Sequence, residues 1–483
     1  MKIRFTQFFI FLVASVIGLS SCYGNSEAKE DVISHVGSST MVNSFSIRPN
    51  YKVMAYLDSV FFSIDQTKGE IFNADSLPWG TDVRKLVVKI GVRDSTGGVE
   101  IIMPKLSDGT DTVINMIENS SDSINFSHGK VWLRVTSSNG EYERIYNVKV
   151  NVHQCNSDSL QWIAKSTPTK LPAQPTGLYA QRAVEMNNTY YSLSRGSSDV
   201  IMSTTADPTQ GPWENNTLTG LPDDINVNSL VASADALYML TESGSLLTST
   251  DGLAWHEVQT GWSYIYGGYG NDIVGVKDNS WVTYPSNISG DLHPDMPVKG
   301  TSQMWTYTNE WAISPQAILA GGIKANGEYT GATWAFDGQS WAQLSNRINE
   351  RELPAAQGYQ IFPYFTFRVN KTNFFTNKQS AWFALGGITA DGKTQPNVYV
   401  SLDNGVNWVR GKSDVQLPQF ITPRAGASML LKDVTFTATR ASKPITEWNA
   451  PAILMLGGYS PQGAIYNEIH VGFINRATFK PLQ

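Results

Sequence analysis

The chain repeats itself after residue 160, and this repeat limits the possible folds more than any other feature of the sequence. An apolar run that ends in Gly-Gly occurs three times, at Ile318–Gly322, Phe383–Gly387 and Ile453–Gly458. The next aromatic landmark, at Trp341, Trp408 or Phe479, follows the second glycine after 19, 21 and 21 residues. Three intervals of such similar length indicate that this part of the chain consists of repeated structural units.

A tryptophan followed by Leu-Pro is a second recurring element. The tryptophans are Trp162, Trp213, Trp341 and Trp408, with Leu-Pro at 171–172, 221–222, 353–354 and 417–418. Residues 401–408 match Ser-x-Asp-x-Gly-x-x-Trp, residues 249–255 match it with one residue fewer, and residues 336–341 are related. Serine and aspartate can cap backbone amides in a tight turn, where glycine supplies a positive φ. We therefore predict structural turn residues, not catalytic acids, at Ser249, Asp251, Trp255, Ser401, Asp403, Gly405 and Trp408.

The repeats are interpreted as four-stranded meanders that begin near residues 173, 223, 259, 298, 355 and 419. One meander cannot bury both of its faces, whereas meanders arranged radially bury one another. The sequence therefore predicts a six-bladed β-propeller over residues 155–483. Leu160–Trp162 has the pattern of an outermost strand with no blade before it, so we expect it to complete the last blade; Ala477–Phe479 is the alternative.

These elements resemble those of known propellers. The Gly-Gly and Trp elements resemble kelch repeats, as in galactose-oxidase-type propellers, and the Asp-containing turns resemble the Asp-boxes of sialidases. The resemblances imply a propeller but no particular activity. In those families the Asp-boxes lie at the blade periphery and are usually structural.

The region before the repeat, residues 43–154, is rich in short strand patterns. They are found at Val60–Ile64, Leu86–Ile90, Val131–Val135 and Tyr146–Val152, and Asn139-Gly140 is typical of a hairpin turn. Helical periodicity is absent. The sequence predicts an antiparallel β-sandwich here, so the whole chain is expected to be all-β, a sandwich followed by a propeller.

Residues 62–65 and 71–81 resemble the N-terminal domain of an uncharacterised Bacteroidetes lipoprotein family, a domain of unknown function. The pattern from Val135 to Val150 resembles cadherin-like or Ig-like bacterial repeats. The lipoprotein resemblance extends over the mature chain and implies no known activity. We interpret this domain as a rigid spacer, with a glycan- or protein-binding module as the alternative.

The first residues have the features of a lipoprotein signal peptide. Lys2 and Arg4 precede an apolar run, Phe8–Leu19, that is shorter than the roughly 20 residues of a membrane-spanning helix. Residues 19–22, Leu-Ser-Ser-Cys, resemble the bacterial lipobox, which implies lipid attachment at Cys22. We predict a signal peptide over 1–21, a flexible tether over 22–42 and an outer-membrane anchor. Surface exposure is expected, with a periplasm-facing location as the alternative.

Composition excludes several classes of function. The formal net charge of −6 and the lack of a basic stripe argue against nucleic acid as a partner. The copper site of galactose oxidase needs a Tyr cross-linked to Cys. The one cysteine near the propeller, Cys155, precedes the first blade, which argues against such a site. The histidines His256, His293 and His470 have no ligand spacing, so no metal and no cofactor are predicted.

Some acid and arginine side chains are candidates for glycan chemistry. Arg182, Arg368 and Arg424 fall in different blades, which is compatible with a central sialidase-type cluster, but the arginine motif of sialidases is missing. A carboxylate pair for glycoside cleavage depends on three-dimensional distances. Candidate acids are Glu185, Glu328 and Glu468.

Clusters of aromatic residues are the better indication of a ligand site, because aromatic faces stack on sugar rings. The candidate ligand-binding residues are Trp262, Tyr264, Tyr266, Tyr269, Tyr359, Tyr364 and Trp305, the last accompanied by Trp311. The alternative is that these side chains fill the cores of the blades.

Two functions remain open at this point. The first is a non-enzymatic, cell-surface lipoprotein that binds a glycan or a protein. The second is a glycan-active hydrolase or lyase with its site at the central opening of the propeller, which rests on fold analogy alone. Two carboxylates with an arginine at one mouth of the channel would favour the enzyme, and an aromatic face poor in carboxylates would favour binding.

Overall fold

The computed structural model describes residues 37–54, 56–93, 96–104, 109–153, 159–164, 169–171, 175–308, 314–344, 351–369, 376–437 and 447–474. The predictions for the signal peptide, Cys22, Cys155, Trp311 and Ala477–Phe479 lie outside these residues, as does the side chain of Arg368. The described chain consists of strands and two short 3-10 helices, Leu57–Ser59 and Ser413–Val415, which confirms the all-β fold. None of its helices is long and apolar enough to span a membrane.

The N-terminal strands form two sheets. The strands are β1 Val42–Ile47, β2 Phe62–Asp65, β3 Glu70–Asn73, β4 Val88–Val92, β5 Thr96–Met103, β6 Thr112–Asn115, β7 Val131–Ser137 and β8 Glu143–Lys149. One sheet pairs β1 with β4, and the other has the order β2-β3-β8-β7-β5-β6. Buried residues of both sheets, such as Ile47 and Leu133, share one core, as a sandwich requires. The strands β3 and β8 are parallel. This pair departs from the antiparallel sandwich that the sequence predicts.

Six further sheets form the propeller. Blade 1 contains β11 Ala180–Met186, β12 Thr189–Arg195, β13 Val200–Thr205 and β14 Glu214–Asn216. Blade 2 contains β15 Ile225–Ala232, β16 Leu237–Thr241, β17 Leu246–Ser249 and β18 His256–Gln259. Blade 3 contains β19 Trp262–Tyr269, β20 Asp272–Lys277, β21 Ser280–Tyr284 and β22 Ser289–Asp291. Blade 4 contains β23 Pro297–Lys299, β24 Trp305–Tyr307, β25 Gln316–Lys324, β26 Tyr329–Phe336 and β27 Trp341–Leu344; blade 5 contains β28 Ala356–Val369, β29 Thr376–Thr389, β30 Tyr399–Ser401 and β31 Val409–Arg410. Blade 6 contains β32 Ser428–Thr437, β33 Glu447–Leu456 and β34 Glu468–Ile474, together with β9 Leu160–Trp162 and β10 Thr169–Lys170.

The blades form a closed ring around a channel. The first strands of successive blades contact one another, except that β28 of blade 5 contacts β25 and β26 of blade 4, and β32 of blade 6 contacts β11 of blade 1. Strand β9 pairs with β34, with Trp162 opposite Gly472, so the N-terminal strand of the domain completes the last blade as predicted. Because β9 and β34 come from opposite ends of the propeller domain, their pairing ties the start of the domain to its last blade.

The Gly-Gly elements allow the blades to approach closely. Gly321, Gly386 and Gly457 all have a positive φ, between 65° and 68°. A Cβ atom at Gly386 would lie 2.0 Å from the carbonyl oxygen of Arg424, and one at Gly321 would lie 2.7 Å from that of Ala356. In both cases the neighbour belongs to the next blade, so these positions require glycine for its conformation and for its lack of a side chain.

The Asp-containing turns use their side chains to hold the backbone. Asp251 accepts hydrogen bonds from the amides of Leu253 and Ala254, and Asp403 accepts one from the amide of Asn407. The following tryptophan is buried in each case. Trp408 donates its indole N–H to the Thr333 hydroxyl of blade 4 at 2.8 Å, so this turn also joins two blades.

Candidate functional site

Four of the seven aromatic candidates lie in the cores of the blades. Trp262, Tyr266, Tyr359 and Tyr364 are each at most 6% exposed. The three tyrosines donate their hydroxyls to backbone carbonyls of proline residues at 2.7–2.8 Å. Burial raises the pKa of Tyr364 to about 12. Protein covers most of the surface of these side chains, and of the four only Tyr266 borders the central cavity.

The other three candidates are partly exposed. Tyr269 donates to the carbonyl of Pro315, and Tyr264 exchanges hydrogen bonds with Thr301. Trp305 lines the cavity at the centre of the ring. Its indole nitrogen is buried and has no hydrogen-bond partner in the described part of the chain. Trp305 and Tyr266 are the two predicted aromatic residues that line this cavity, and Trp305 also packs against apolar core residues of neighbouring blades.

The central cavity has a volume of about 180 Å³. Its walls come from the first strands of blades 1, 2, 3, 4 and 6. The lining residues include Arg182, Val184 and Glu185 from blade 1, Ala232 from blade 2, Tyr266 to Gly268 from blade 3, Gln303 to Trp305 from blade 4, and Leu430 with Leu431 from blade 6. Drug-sized ligands occupy roughly 300–1,000 Å³, so this cavity fits one small group or the end of a larger molecule.

Arg182 is the cation of this cavity. It lies on β11, and its guanidinium makes no hydrogen bond or ion pair with any described residue, while its Nε atom is buried. Burial lowers the pKa of Arg182, and the nearby Tyr264 and Tyr459 act in the opposite direction. An arginine stays protonated under these conditions, and no carboxylate of the described residues forms an ion pair with it, so the cavity carries an unpaired positive charge.

Tyrosines from two other blades, Tyr264 and Tyr459, lie near this charge, and Tyr329 lies near Tyr459. Tyr459 follows β33 of blade 6, Tyr264 lies on β19 of blade 3 and Tyr329 on β26 of blade 4. Burial raises the pKa of Tyr459. The nearby Tyr264 and Tyr329 raise it further, and the charge of Arg182 lowers it. The hydroxyl of Tyr329 accepts a hydrogen bond from Gln357 of blade 5 at 3.4 Å. Residues from five blades therefore contribute to this part of the channel.

Glu185 is the one acid among the described residues that line the cavity. It is exposed, and it accepts a hydrogen bond from the backbone amide of Asn188 at 2.7 Å. The carboxylate thus caps the turn between β11 and β12. Paired carboxylates of the kind used for glycoside cleavage are not found among the described lining residues.

Arg424 has the opposite environment to Arg182. It is 1% exposed, pairs with Glu468 at 3.1 Å, and donates to the carbonyls of Thr422 and Gly457. Its guanidinium also lies 4.1 Å from the centre of the Tyr466 ring. Because its donors are engaged, Arg424 holds blade 6 together and is not available to a ligand.

The other predicted acids and histidines do not gather at the channel. Glu328 is exposed and pairs with Lys324 at 3.3 Å. His256 is exposed, the His293 ring contacts Trp334, and His470 bonds Glu468. Within the described ranges, no group of three or more His, Cys, Asp or Glu side chains could hold a metal ion.

A larger cleft of about 630 Å³ lies at the outer edge of blade 5. Arg351, Arg410 and Lys412 line it together with Asp403 and Asp414. The three cations are exposed, so water compensates their charge. The cleft therefore gives a weaker indication of a ligand than the unbalanced charge in the channel.

Two family models match the chain. One, described as the DUF6242 beta propeller domain, matches residues 156–482, and the other, described as the DUF6242 N-terminal domain, matches residues 35–150. The chain belongs to the DUF6242 family. This agrees with the expected membership of an uncharacterised family with a propeller. The family description, a domain of unknown function, gives no activity.

Curated proteins and solved structures add little about function. No curated protein matches this chain. A DUF4623 family protein from Bacteroides eggerthii covers 90% of this chain and 98% of its own, at 11% identity and a TM-score of 0.38. YCF48 from Cyanidioschyzon merolae covers 65% of this chain and 98% of its own, at 12% identity and a TM-score of 0.29. An endo-1,4-beta-xylanase from Bacteroides thetaiotaomicron covers 65% of this chain and 99% of its own, at 12% identity and a TM-score of 0.27. Identities and TM-scores this low give no evidence about the function of this chain.

Proposed function

We propose that this DUF6242 protein is a cell-surface lipoprotein that binds a glycan at the central channel of its propeller without transforming it. Its anchor is the lipid on Cys22, and its N-terminal sandwich is a spacer between the membrane and the propeller. The anchor is supported by the basic start, the short apolar run and the Leu-Ser-Ser-Cys sequence.

The observation that carries the proposal is the cavity at the centre of the ring. It combines a positive charge on Arg182, an amide side chain on Gln303 and apolar lining residues such as Val231 and Leu431. A few polar groups in a partly apolar concavity are typical of a site that orients a small ligand. The one acid, Glu185, is hydrogen-bonded to its own turn, which favours binding over cleavage by two carboxylates.

A glycan array tests this proposal, using the chain from residue 23, which retains both domains. We expect saturable binding to one class of glycan. Leu431→Trp fills the cavity and should abolish that binding, whereas Ile145→Trp on the sandwich, where Ile145 is 54% exposed, should not. Absence of glycan binding, or equal binding by Leu431→Trp, would contradict the proposal. Cleavage of the bound glycan, detected by mass spectrometry, would favour the glycan-active enzyme instead.

A further inference from the structure

The central cavity contains a cation without a partner among the described residues. Arg182 of blade 1 lines the cavity, is partly exposed, and makes no hydrogen bond or ion pair with any described residue. A charged group that is partly removed from water without an acceptor costs free energy. A ligand that enters the cavity and offers oxygen acceptors to the guanidinium would remove this cost.

The charge on Arg182 restricts the chemistry of that ligand. The described residues around it offer tyrosine hydroxyls, which are uncharged acceptors, and no carboxylate forms an ion pair with it. Arg424, one blade away, shows that this fold can supply a carboxylate partner for a buried guanidinium. The missing counter-charge at Arg182 is therefore best provided by an anion, and a planar guanidinium matches a carboxylate in two parallel hydrogen bonds.

We propose that Arg182 binds the carboxylate of an acidic sugar, of the uronic acid kind, whose ring lies against the apolar lining of the cavity. A sugar fits this lining better than an acidic peptide side chain. It presents an apolar ring face to Val231 and Leu431 and hydroxyl oxygens to the amide of Gln303. This inference rests on the proposed function of the channel and specifies its ligand.

Thermal unfolding of the full chain in a neutral detergent tests the inference. D-glucuronate should raise the unfolding temperature of the wild-type protein, and D-glucose at the same ionic strength should not. Arg182→Gln should lose the response, with affinity about 10- to 100-fold weaker, because a hydrogen-bonded charge pair is removed. Arg84→Gln, at an arginine of the sandwich with a side chain that is 70% exposed, is the matched control and should respond like the wild type.

Arg182→Gln should also unfold at the same or a higher temperature than the wild type when no ligand is present. An arginine kept for structure would instead lose stability on replacement. A glucuronate response that persists in Arg182→Gln, or a response equal to that with glucose, would overturn the inference. So would a response to N-acetylglutamate amide but not to glucuronate, which would point to an acidic peptide. Binding of neutral glycans alone on the array would overturn this inference while leaving the proposed function intact.

Discussion

Arg424 and Glu468 form an ion pair across blade 6, with 3.1 Å between Nη2 and Oε2, and the arginine side chain is 1% exposed. Replacement of Arg424 by Gln removes the ion pair, leaves Glu468 with His470 as its partner, and leaves the carbonyls of Thr422 and Gly457 without this donor. We expect this variant to lose about 3–5 kcal/mol of unfolding free energy, as is typical when one partner of a buried pair is removed. Urea unfolding measures the loss. Arg182→Gln serves as the comparison, and an equal loss in both variants would mean that Arg182 is structural too.

The pH dependence of stability should depend on His470, which faces Glu468 and Arg424. Burial, and to a smaller extent the charge of Arg424, lowers the pKa of His470 below its ordinary value of 6.5. Glu468 acts in the opposite direction. The unfolded chain therefore binds a proton more readily than the folded one, and stability decreases as the pH falls below about 6.5. His470→Gln should show a smaller decrease between pH 8 and pH 5.5 in thermal unfolding. Parallel curves for the two proteins would exclude His470 as the cause.

Closure of the ring depends on Trp162, which is 9% exposed and covers Gly472 on the neighbouring strand. We expect Trp162→Ala to cost about 3–5 kcal/mol, because a large buried ring is removed. Denaturant unfolding followed by circular dichroism measures the cost. Trp79→Ala on the sandwich, where Trp79 is 59% exposed, is the control and should change stability little. If the two variants lost the same free energy, β9 would not be holding the propeller closed.

The contact between blades 4 and 5 is expected to include a coupling between Trp408 and Thr333. A double-mutant cycle with Trp408→Phe and Thr333→Val isolates the 2.8 Å hydrogen bond between them. The coupling free energy should be about 1 kcal/mol, the usual contribution of a buried neutral hydrogen bond. Additive effects of the two substitutions would show that the bond contributes nothing to blade packing.

Much of the fold could be predicted from the sequence because its determinants are local. The Gly-Gly pairs at 321, 386 and 457 need positive φ and close backbone approach, and the Trp residues after the turns fill the spaces between blades. The hairpins of blades 5 and 6 were not foreseen. Strands β28 and β29 are 14 residues long, and their apolar pattern does not show where a blade ends.

The candidate site was only partly predictable. Tyr266 and Tyr359 have the same local pattern as the partly exposed Tyr264, and burial is decided by the neighbouring blade, which a linear pattern does not show. In the sequence, Arg182 is one of three scattered arginines. Its neighbours Tyr264 and Tyr459 come from other blades, so their proximity follows from the ring and not from sequence spacing.

The measurement that tests the central claim most directly is a glycan array run in parallel on the wild-type protein and Arg182→Gln. We predict that the wild type binds glycans that carry a carboxylate, and that Arg182→Gln loses this binding while it remains folded. Equal binding of the same glycans by both proteins would contradict the claim that the charge in the channel recognises the ligand.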